Sequence, residues 1–445
     1  MTKVAELAGI TSGEDNFMDM QDKRDKAVLV GVHLGLRDRM RDTTEESMSE
    51  LGDLAETAGL EVVGTFVQNR HAPEGATYIG EGKLDEVAEF IRQNAVDVAI
   101  FDEELTGIQT RNLNGSLGVP IIDRSCLILD IFASRAESNE GKLQVELAQL
   151  RYMLPRLAGS ALDEGISRAG VGVGARGPGE TKLETDRRRI RKRISALEEQ
   201  LDEVAKNRVT MRRSRTKDGA QQVALLGYTN AGKSTLLNAL TNANTTAKDM
   251  LFATLDPIAR KLTMPDGAQV IFIDTVGFIR KLPHHLVRAF SSTLEESMLC
   301  DVILHVIDAF SAEREGHEQV VDALIGELNT ERKPVLKVYN KADLLSGAED
   351  DGGSGALNRD DAVAISAKTG AGIDELLARI LQRLPDKRVK ANLLIPYENS
   401  DMVAKIYAAA QVEKKEFTDE GTVFEVTIAQ KDIHALGLKE FALDD

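Results

Sequence analysis

A glycine-rich segment at residues 227–234 limits the folds open to this chain more than any other feature. It follows the apolar run 223–226 and leads into a helical pattern that opens at Ser234. The segment fits G-x-x-x-x-G-K-[ST], in which backbone N–H groups surround phosphate, the lysine reaches the β and γ phosphates and the hydroxyl holds Mg²⁺. Because such a loop needs a strand before it and a helix after it, the segment predicts an α/β nucleotide-binding domain.

Four further patterns follow in the order that a regulatory GTPase needs them. They are a switch-like segment at residues 252–256, Asp-Thr-Val-Gly at 274–277, Asn-Lys-Ala-Asp at 340–343 and Ser-Ala-Lys at 366–368. An incidental strand-to-helix turn could mimic the first pattern, but it does not explain five patterns in sequence. The chain is therefore predicted to bind a guanine nucleotide.

Each pattern predicts a role for its residues. The Asp343 carboxylate can accept two hydrogen bonds that guanine offers and adenine does not, and the 366–368 loop can present a backbone N–H to guanine O6. The predicted catalytic residues are Lys233, Thr254 and Gly277, and the predicted metal ligands are Ser234 and Thr254. The predicted GTP-binding residues are Gly227, Tyr228, Thr229, Asn230, Ala231, Gly232, Lys233, Ser234, Thr235, Phe252, Ala253, Thr254, Leu255, Asp256, Asp274, Thr275, Val276, Gly277, Asn340, Lys341, Ala342, Asp343, Ser366, Ala367 and Lys368.

The residue after Gly277 predicts slow hydrolysis. It is Phe278, whereas Ras-like enzymes place there a glutamine that orients the attacking water. A partner or a monovalent cation must then supply the missing organisation. Asn230 occupies the loop position at which potassium-stimulated GTPases carry asparagine, although the same side chain could simply brace the loop. The expected cofactors are therefore Mg²⁺ and, through Asn230, K⁺.

Charge and composition favour a soluble, cytoplasmic protein with one basic region. The chain has 445 residues, enough for about three domains, a net charge of −17 and only two cysteines. No apolar run approaches a membrane span, and the acidic N-terminus does not resemble a signal peptide. Residues 182–217 hold 13 Lys and Arg against six Asp and Glu. This local excess of positive charge suits docking at a defined place on a phosphate-rich surface.

The region before the nucleotide-binding segment predicts a second α/β layer and a helical hairpin. Apolar runs from residue 27 to 122 alternate with stretches of helical length, which argues for a parallel sheet. Two apolar stripes, at residues 143–154 and 190–204, recur with helical spacing. They predict two helices in an antiparallel hairpin about 30 Å long. Two ordinary core helices are the alternative, but the loop between the helices favours an exposed arm.

The loop between these helices is rich in glycine and arginine. Residues 165–179 hold six glycines, and arginines continue along the second helix. Glycine allows close approach of the backbone to a crowded surface, and arginine can bind phosphate or stack on a base. A flexible linker and a solvated helix face are the alternative interpretations. The predicted RNA-binding residues are Arg168, Arg176, Gly177, Arg187, Arg188 and Arg191.

The predicted fold is a multidomain α/β protein with a Ras-like P-loop G domain. The expected parts are a flexible N-terminus (1–25), an N-terminal α/β domain (26–135), a long helical hairpin (136–218) with its glycine-rich loop (158–181), the G domain (219–385) and a small C-terminal α+β domain (386–445). No part of this arrangement suggests a membrane contact, and we expect a monomer.

Residues 174–188, GARGPGETKLETDRR, resemble the signature of the HflX-type GTPases of the Obg-HflX superfamily, except that Lys182 stands where glutamine is expected. Residues 141–150, 227–235 and 252–256 also match that family. The resemblance implies a translation-associated GTPase that binds the large ribosomal subunit and its rRNA and, in its GTP state, splits stalled or idle ribosomes. It also implies that hydrolysis to GDP permits release and that ribosomes stimulate this hydrolysis. A ribosome-assembly checkpoint and an RNA-remodelling factor are the alternative functions.

Overall fold

The computed structural model describes residues 24–35, 44–166, 178–217, 221–241, 251–252, 258–265, 267–281, 300–328, 332–347, 357–385, 388–429, 432–433 and 436–443. Apart from residues 24 and 25, the N-terminus predicted to be flexible lies outside these ranges. So do residues 167–177 of the glycine-rich loop and residues 253–257 of the switch-like segment.

The N-terminal domain is a four-stranded parallel sheet with the order β2-β1-β3-β4. Its strands are β1 (Lys26–His33), β2 (Glu61–Asn69), β3 (Val98–Phe101) and β4 (Ile121–Asp123), and its helices are α1 (Thr44–Thr57), α2 (Glu81–Asn94), α3 (Gly107–Leu117) and α4 (Arg124–Arg135). Successive residues of β1 belong to separate apolar clusters, Leu29 to one and Val28 to the other. Helices therefore cover both faces of this sheet, as a continuous apolar strand requires.

Two long helices follow, α5 (Asn139–Ile166) and α6 (Pro178–Lys217), and they pack against each other. Arg151 pairs with Glu198 at 2.6 Å, and Arg193 binds both carboxylate oxygens of Glu146 at 2.7 and 2.8 Å. At 1.5 Å per residue, α6 is about 60 Å long, so the expected length of about 30 Å was too short. The two apolar stripes cover only the parts of these helices in which apolar residues recur with regular helical spacing.

The first half of α5 is part of the N-terminal core rather than an exposed arm. Val145, Ala148 and Tyr152 are buried in the same apolar cluster as Phe132 of α4. The Tyr152 hydroxyl also donates a hydrogen bond to Asp123 Oδ1 at 2.8 Å. The helical pair is therefore anchored to the N-terminal sheet.

The G domain is a six-stranded sheet with the order β10-β9-β8-β5-β7-β6, parallel except for β6. The strands are β5 (Gln221–Gly227), β6 (Ile258–Thr263), β7 (Gln269–Asp274), β8 (Val302–Asp308), β9 (Val335–Asn340) and β10 (Ala362–Ala364). The helices are α7 (Lys233–Thr241), α8 (Arg314–Leu328) and α9 (Ile373–Arg383). Because the carboxyl ends of parallel strands share one edge, the loops after β5, β7, β9 and β10 converge there.

The C-terminal domain is a small antiparallel sheet with one helix. It contains β11 (Arg388–Pro396), α10 (Ser400–Ala409), β12 (Ala410–Phe417) and β13 (Gly421–Ala429), and β13 is the central strand. Leu393, Ile406 and Phe424 lie in its own apolar core. Across the described parts of the chain, no helix is both long enough and apolar enough to cross a membrane.

Candidate functional site

The loop between β5 and α7 takes its shape from residues that tolerate unusual backbone geometry. A Cβ on Gly227 would overlap the Val306 carbonyl oxygen of the neighbouring strand β8. Gly232 has φ of +89°, and Asn230 has φ of +60°, a conformation that asparagine adopts more readily than most residues. The loop therefore curls tightly over the N-terminus of α7, where backbone N–H groups bind anions.

Lys233 is buried at the start of α7 and bends back over the loop. Its Nζ donates hydrogen bonds to the carbonyl oxygens of Gly227 at 3.0 Å and Tyr228 at 2.8 Å. Burial lowers the pKa of Lys233 to about 8, although nearby Asp274 acts in the opposite direction. Carbonyl oxygens offset only part of the cost of burying an ammonium group. An adjacent phosphate would stabilise this charge, so Lys233 has the position and the electrostatics of a phosphate ligand.

Ser234 and Asp274 form a pair of oxygen donors beside Lys233. Ser234 Oγ donates a hydrogen bond to Asp274 Oδ2 at 2.6 Å, and Asp274 is fully buried at the end of β7. Hydroxyl and carboxylate oxygens are ligands that Mg²⁺ prefers. No cluster of three or more His, Cys, Asp and Glu side chains suited to a metal ion occurs within the described ranges. The donors fit Mg²⁺ that takes its other ligands from phosphate and water, as in nucleotide sites.

The segment after β7 runs directly along the glycine-rich loop. Thr229 N–H donates to the Phe278 carbonyl oxygen at 2.8 Å, and Phe278 N–H donates to the Gly227 carbonyl oxygen at 3.1 Å. A Cβ on Gly277 would lie only 2.8 Å from Thr229 Cγ2 and 3.0 Å from Lys233 Nζ. Only glycine therefore allows this approach. The Phe278 ring is buried in an apolar cluster, which leaves it unable to orient a water molecule.

Asn340 joins the loops expected to bind the base. Its Nδ2 donates to the Ala231 carbonyl oxygen, and its Oδ1 accepts from Ala367 N–H, both at 2.9 Å. Ala342 N–H donates to the Ile365 carbonyl oxygen at 3.0 Å, which ties the 340–343 segment to the strand before the 366–368 loop. The side chain of Asp343 is half-buried beside this junction.

The remaining residues of these two loops are also placed by local contacts. Lys341, with φ of +63°, pairs with Asp308 at 2.8 Å. Ser366 Oγ accepts from Thr369 N–H at 3.2 Å and holds the turn that carries the exposed Lys368. The structure therefore brings the sequence patterns at 227–235, 274–277, 340–343 and 366–368 to one edge of the sheet.

The switch-like segment is placed only in part. Ala253, Thr254, Leu255 and Asp256 lie outside the described residues. Phe252, which was expected to bind GTP, is buried, and its ring packs edge-to-face on Phe132 of α4 with centroids 4.7 Å apart. The structure assigns this ring to the contact with the N-terminal domain.

The predicted RNA-binding residues are divided between the described helix α6 and the loop before it. Arg187, Arg188 and Arg191 lie on α6, where Arg188 and Arg191 are exposed. Arg191 lies 4.0 Å from Glu184 and is exposed, so its charge remains largely available to solvent. Arg168, Arg176 and Gly177 lie outside the described residues.

Sequence reasoning missed a buried ionic contact between the N-terminal domain and the G domain. Arg124, at the start of α4, is 2% exposed and donates to Asp102 at 3.0 Å and to the carbonyl oxygens of Ser47 at 2.8 Å and Arg280 at 3.3 Å. Lys281 Nζ lies 2.6 Å from Asp102 Oδ2. Burial acts to raise the pKa of the Asp102 carboxyl, but Arg124 and Lys281 outweigh it and hold this pKa below its usual value. The N-terminal domain thus contacts the residues that closely follow Gly277.

A second part of this interface surrounds Tyr228 of the glycine-rich loop. Its ring stacks on His317 of α8, with centroids 3.7 Å apart, and burial, aided by Arg280, lowers the pKa of His317 to about 4. His317 is therefore neutral at physiological pH. Arg280 in turn pairs with Glu46 of α1 at 2.5 Å. Nothing in the local sequence of these residues indicates this network, because its partners are far apart along the chain.

Four family models match successive parts of the chain. Family models match residues 45–133 (GTP-binding GTPase N-terminal), 135–215 (GTP-binding GTPase Middle Region), 222–341 (50S ribosome-binding GTPase) and 354–439 (HflX C-terminal domain). A GTP-binding protein from the archaeon Sulfolobus solfataricus, solved with GDP, is 24% identical, with a TM-score of 0.43 over 80% of this chain and 98% of its own.

Three bacterial relatives named GTPase HflX are similar over most of the chain. The protein of Caldanaerobacter subterraneus is 47% identical over 407 residues, which cover 92% of each chain. That of Alkalihalophilus pseudofirmus is 49% identical over 78% of this chain and 84% of its own, and that of Escherichia coli is 40% identical over 92% and 94%. The chain therefore belongs to the HflX family of GTPases and is an enzyme that binds and hydrolyses GTP.

Proposed function

We propose that this GTPase binds the large ribosomal subunit and splits stalled or idle ribosomes, and that GTP hydrolysis then permits release. One observation carries the proposal: the N-terminal domain contacts both the glycine-rich loop and the residues after Gly277, while the same domain anchors α5. A change at the γ-phosphate can thus be passed to the helical pair. The match of residues 222–341 to a family described as a 50S ribosome-binding GTPase supports the choice of partner.

The proposed roles within the nucleotide site are supported by the geometry described above, except that of Thr254, which rests on its place in the sequence. Lys233 binds the β and γ phosphates, Ser234 and Thr254 ligate Mg²⁺, and Gly277 N–H contacts the γ-phosphate. Asp343 and the 366–368 loop recognise guanine. Bound Mg²⁺ would neutralise charge on the phosphates, and the protein supplies the rest of the organisation by holding these groups in place. The other residues of the four converging patterns shape this site.

The basic helix α6 and the loop before it are proposed to contact rRNA. Arg187, Arg188 and Arg191 on α6 would bind phosphate, with Arg168, Arg176 and Gly177 reaching a crowded pocket. Each such contact displaces counterions from the RNA, so affinity should fall as salt concentration rises. In this proposal the protein binds the large subunit as a monomer and has no membrane partner.

The function is tested by sedimentation of 70S ribosomes after incubation with the protein. With a non-hydrolysable GTP analogue the fraction of free subunits should rise, and with GDP it should not, because only the triphosphate contacts Gly277. Ribosomes should also accelerate GTP hydrolysis. A variant with Arg187, Arg188 and Arg191 changed to glutamine should split poorly, whereas Lys390→Gln and Lys414→Gln, which alter exposed lysines of the C-terminal domain, should not.

Two other outcomes would favour the alternative functions. Nucleotide-dependent binding to the large subunit without any increase in free subunits would favour an assembly checkpoint. Hydrolysis of ATP that persists in Lys233→Ala would favour an RNA-remodelling activity in the N-terminal domain. Equal affinity for the ribosome in the GTP and GDP states would contradict the proposal itself.

We also propose that K⁺ stimulates hydrolysis through Asn230. The side chain is exposed on the loop beside the expected phosphate position, and Phe278 offers no group to organise water. The hydrolysis rate should be about tenfold higher in potassium than in sodium buffer, and Asn230→Ala should remove that difference. Equal rates in the two buffers for the unmodified protein would exclude this role.

A further inference from the structure

One hydroxyl group joins three segments that are distant in sequence. Tyr228 Oη donates a hydrogen bond to Glu50 Oε1 at 2.6 Å and accepts one from Arg280 N–H at 2.8 Å. Glu50 lies on α1 of the N-terminal domain, Tyr228 in the glycine-rich loop, and Arg280 three residues after Gly277. Because Tyr228 is buried and stacked on His317, its hydroxyl has little freedom to take another position.

The backbone of Tyr228 belongs to the nucleotide site. Its carbonyl oxygen accepts a hydrogen bond from Lys233 Nζ at 2.8 Å. The residues on either side of it, Gly227 and Thr229, both hydrogen-bond to the backbone of Phe278. The segment that directly follows Gly277 is therefore attached to the glycine-rich loop at two points, by the backbone pairing at Phe278 and by the Tyr228 hydroxyl at Arg280. Loss of the Tyr228 hydroxyl would remove the side-chain attachment between the glycine-rich loop and this segment, and would leave the backbone pairing at Phe278 and the contact of Arg124 with the Arg280 carbonyl oxygen.

Glu50 is itself held rigidly by the N-terminal domain. Its Oε2 lies 3.4 Å from Arg124 Nη1, and Arg124 is fixed by Asp102 and the Ser47 carbonyl oxygen. The side chain of Glu50 is only 10% exposed, and it borders a cavity of about 220 Å³ between α1, the glycine-rich loop and α8. A carboxylate that is buried and anchored in this way can define where the tyrosine hydroxyl sits.

We propose that Glu50 is a positioning residue for GTP hydrolysis, which the N-terminal domain contributes and which acts through the Tyr228 hydroxyl to hold Gly277 against the glycine-rich loop. Glu50 touches neither the nucleotide nor the reacting atoms. The proposal rests on the assignment of Gly277 to the γ-phosphate made above, and it is independent of ribosome splitting. It means that the GTPase site is complete only when the two domains are in contact.

The test measures steady-state hydrolysis at saturating GTP, without ribosomes. Glu50→Ala and Tyr228→Phe should each lower kcat about tenfold, since a small displacement of a positioned group is costly in the transition state. The affinity for GDP should stay within about threefold of the original, because GDP has no γ-phosphate for Gly277 to contact. The double variant should be no slower than either single variant, as expected of residues that act through one contact.

Asp53→Ala is the matched control. Asp53 lies one turn further along α1 and borders the same cavity, but it makes no hydrogen bond to Tyr228 among the described contacts. Its kcat should be unchanged. Tyr228→Phe removes a single oxygen atom, so it decides the question even if Glu50→Ala fails to fold. An unchanged kcat in Tyr228→Phe, or losses that multiply in the double variant, would overturn the proposal.

Discussion

Replacement of Asp343 by asparagine is expected to lower the affinity for GTP by at least about 100-fold and to create affinity for xanthosine triphosphate. In the proposed site the carboxylate would accept hydrogen bonds from guanine N1–H and the exocyclic amine, whereas the amide of asparagine would present a donor to one of them. Xanthine carries an oxygen in place of that amine and restores the match. Asp343 is half-buried beside the loop that Asn340 holds, so the unpaired group would not be well hydrated.

This exchange of base preference can be measured by displacement of a fluorescent nucleotide with GTP, XTP and ATP. Asp374→Asn is a suitable control, because it removes one exposed carboxylate from the first turn of α9 in the same domain. The control should bind GTP as the unmodified protein does. Unchanged GTP affinity in Asp343→Asn would show that the base lies elsewhere.

Replacement of Lys233 by alanine is expected to reduce the rate of GTP hydrolysis by about 100-fold to 1,000-fold. The ammonium group is buried over the loop and would be the nearest positive charge to the developing charge on the phosphates. The stability of the fold should change much less than the rate of hydrolysis. Because burial lowers the pKa of Lys233 to about 8, its charge is unfavourable in the absence of an anion, and its removal should leave the melting temperature nearly unchanged.

A loss of hydrolysis without a loss of stability is expected if Lys233 binds phosphate, and is not expected if it mainly stabilises the fold. Lys337→Ala tests the opposite case in the same sheet, because Lys337 pairs with Glu318 and Asp322 at 2.7 Å each. This control should keep its hydrolysis rate and lose some stability. Substantial hydrolysis of GTP by Lys233→Ala would contradict the location of the active site.

The shape of the glycine-rich loop and of the segments beside it could be predicted from the sequence because this geometry is local. A strand, a tight loop and a helix must follow one another within about a dozen residues, and only glycine meets the close approaches at 227, 232 and 277. The strands before Asp274 and Asn340 were equally clear, since each is a short apolar run that ends in a polar residue. The parallel N-terminal sheet and the small C-terminal domain followed from the same kind of periodicity.

The contact between domains could not be read in this way. Glu50 and Tyr228 are 178 residues apart, and nothing in the local sequence of either residue indicates the other. Arg124 resembles a helix-end surface residue until the fold buries it against Asp102 and the residues after Gly277. The burial of α5 has a similar cause: Val145, Ala148 and Tyr152 form a second apolar face beside the leucine stripe, and only the tertiary fold shows which surface covers it.

The burial of Arg124 also limits how the parts of this protein can be exchanged with those of its relatives. A guanidinium group that loses its partners in the interior costs several kcal/mol, so a foreign G domain joined to this N-terminal domain would destabilise the chimera unless its backbone offered an equivalent carbonyl at position 280. A chimera would have to keep residues 280 and 281 together with their partners Glu46 and Asp102. Recombination within the family should therefore preserve these positions as a set rather than one at a time.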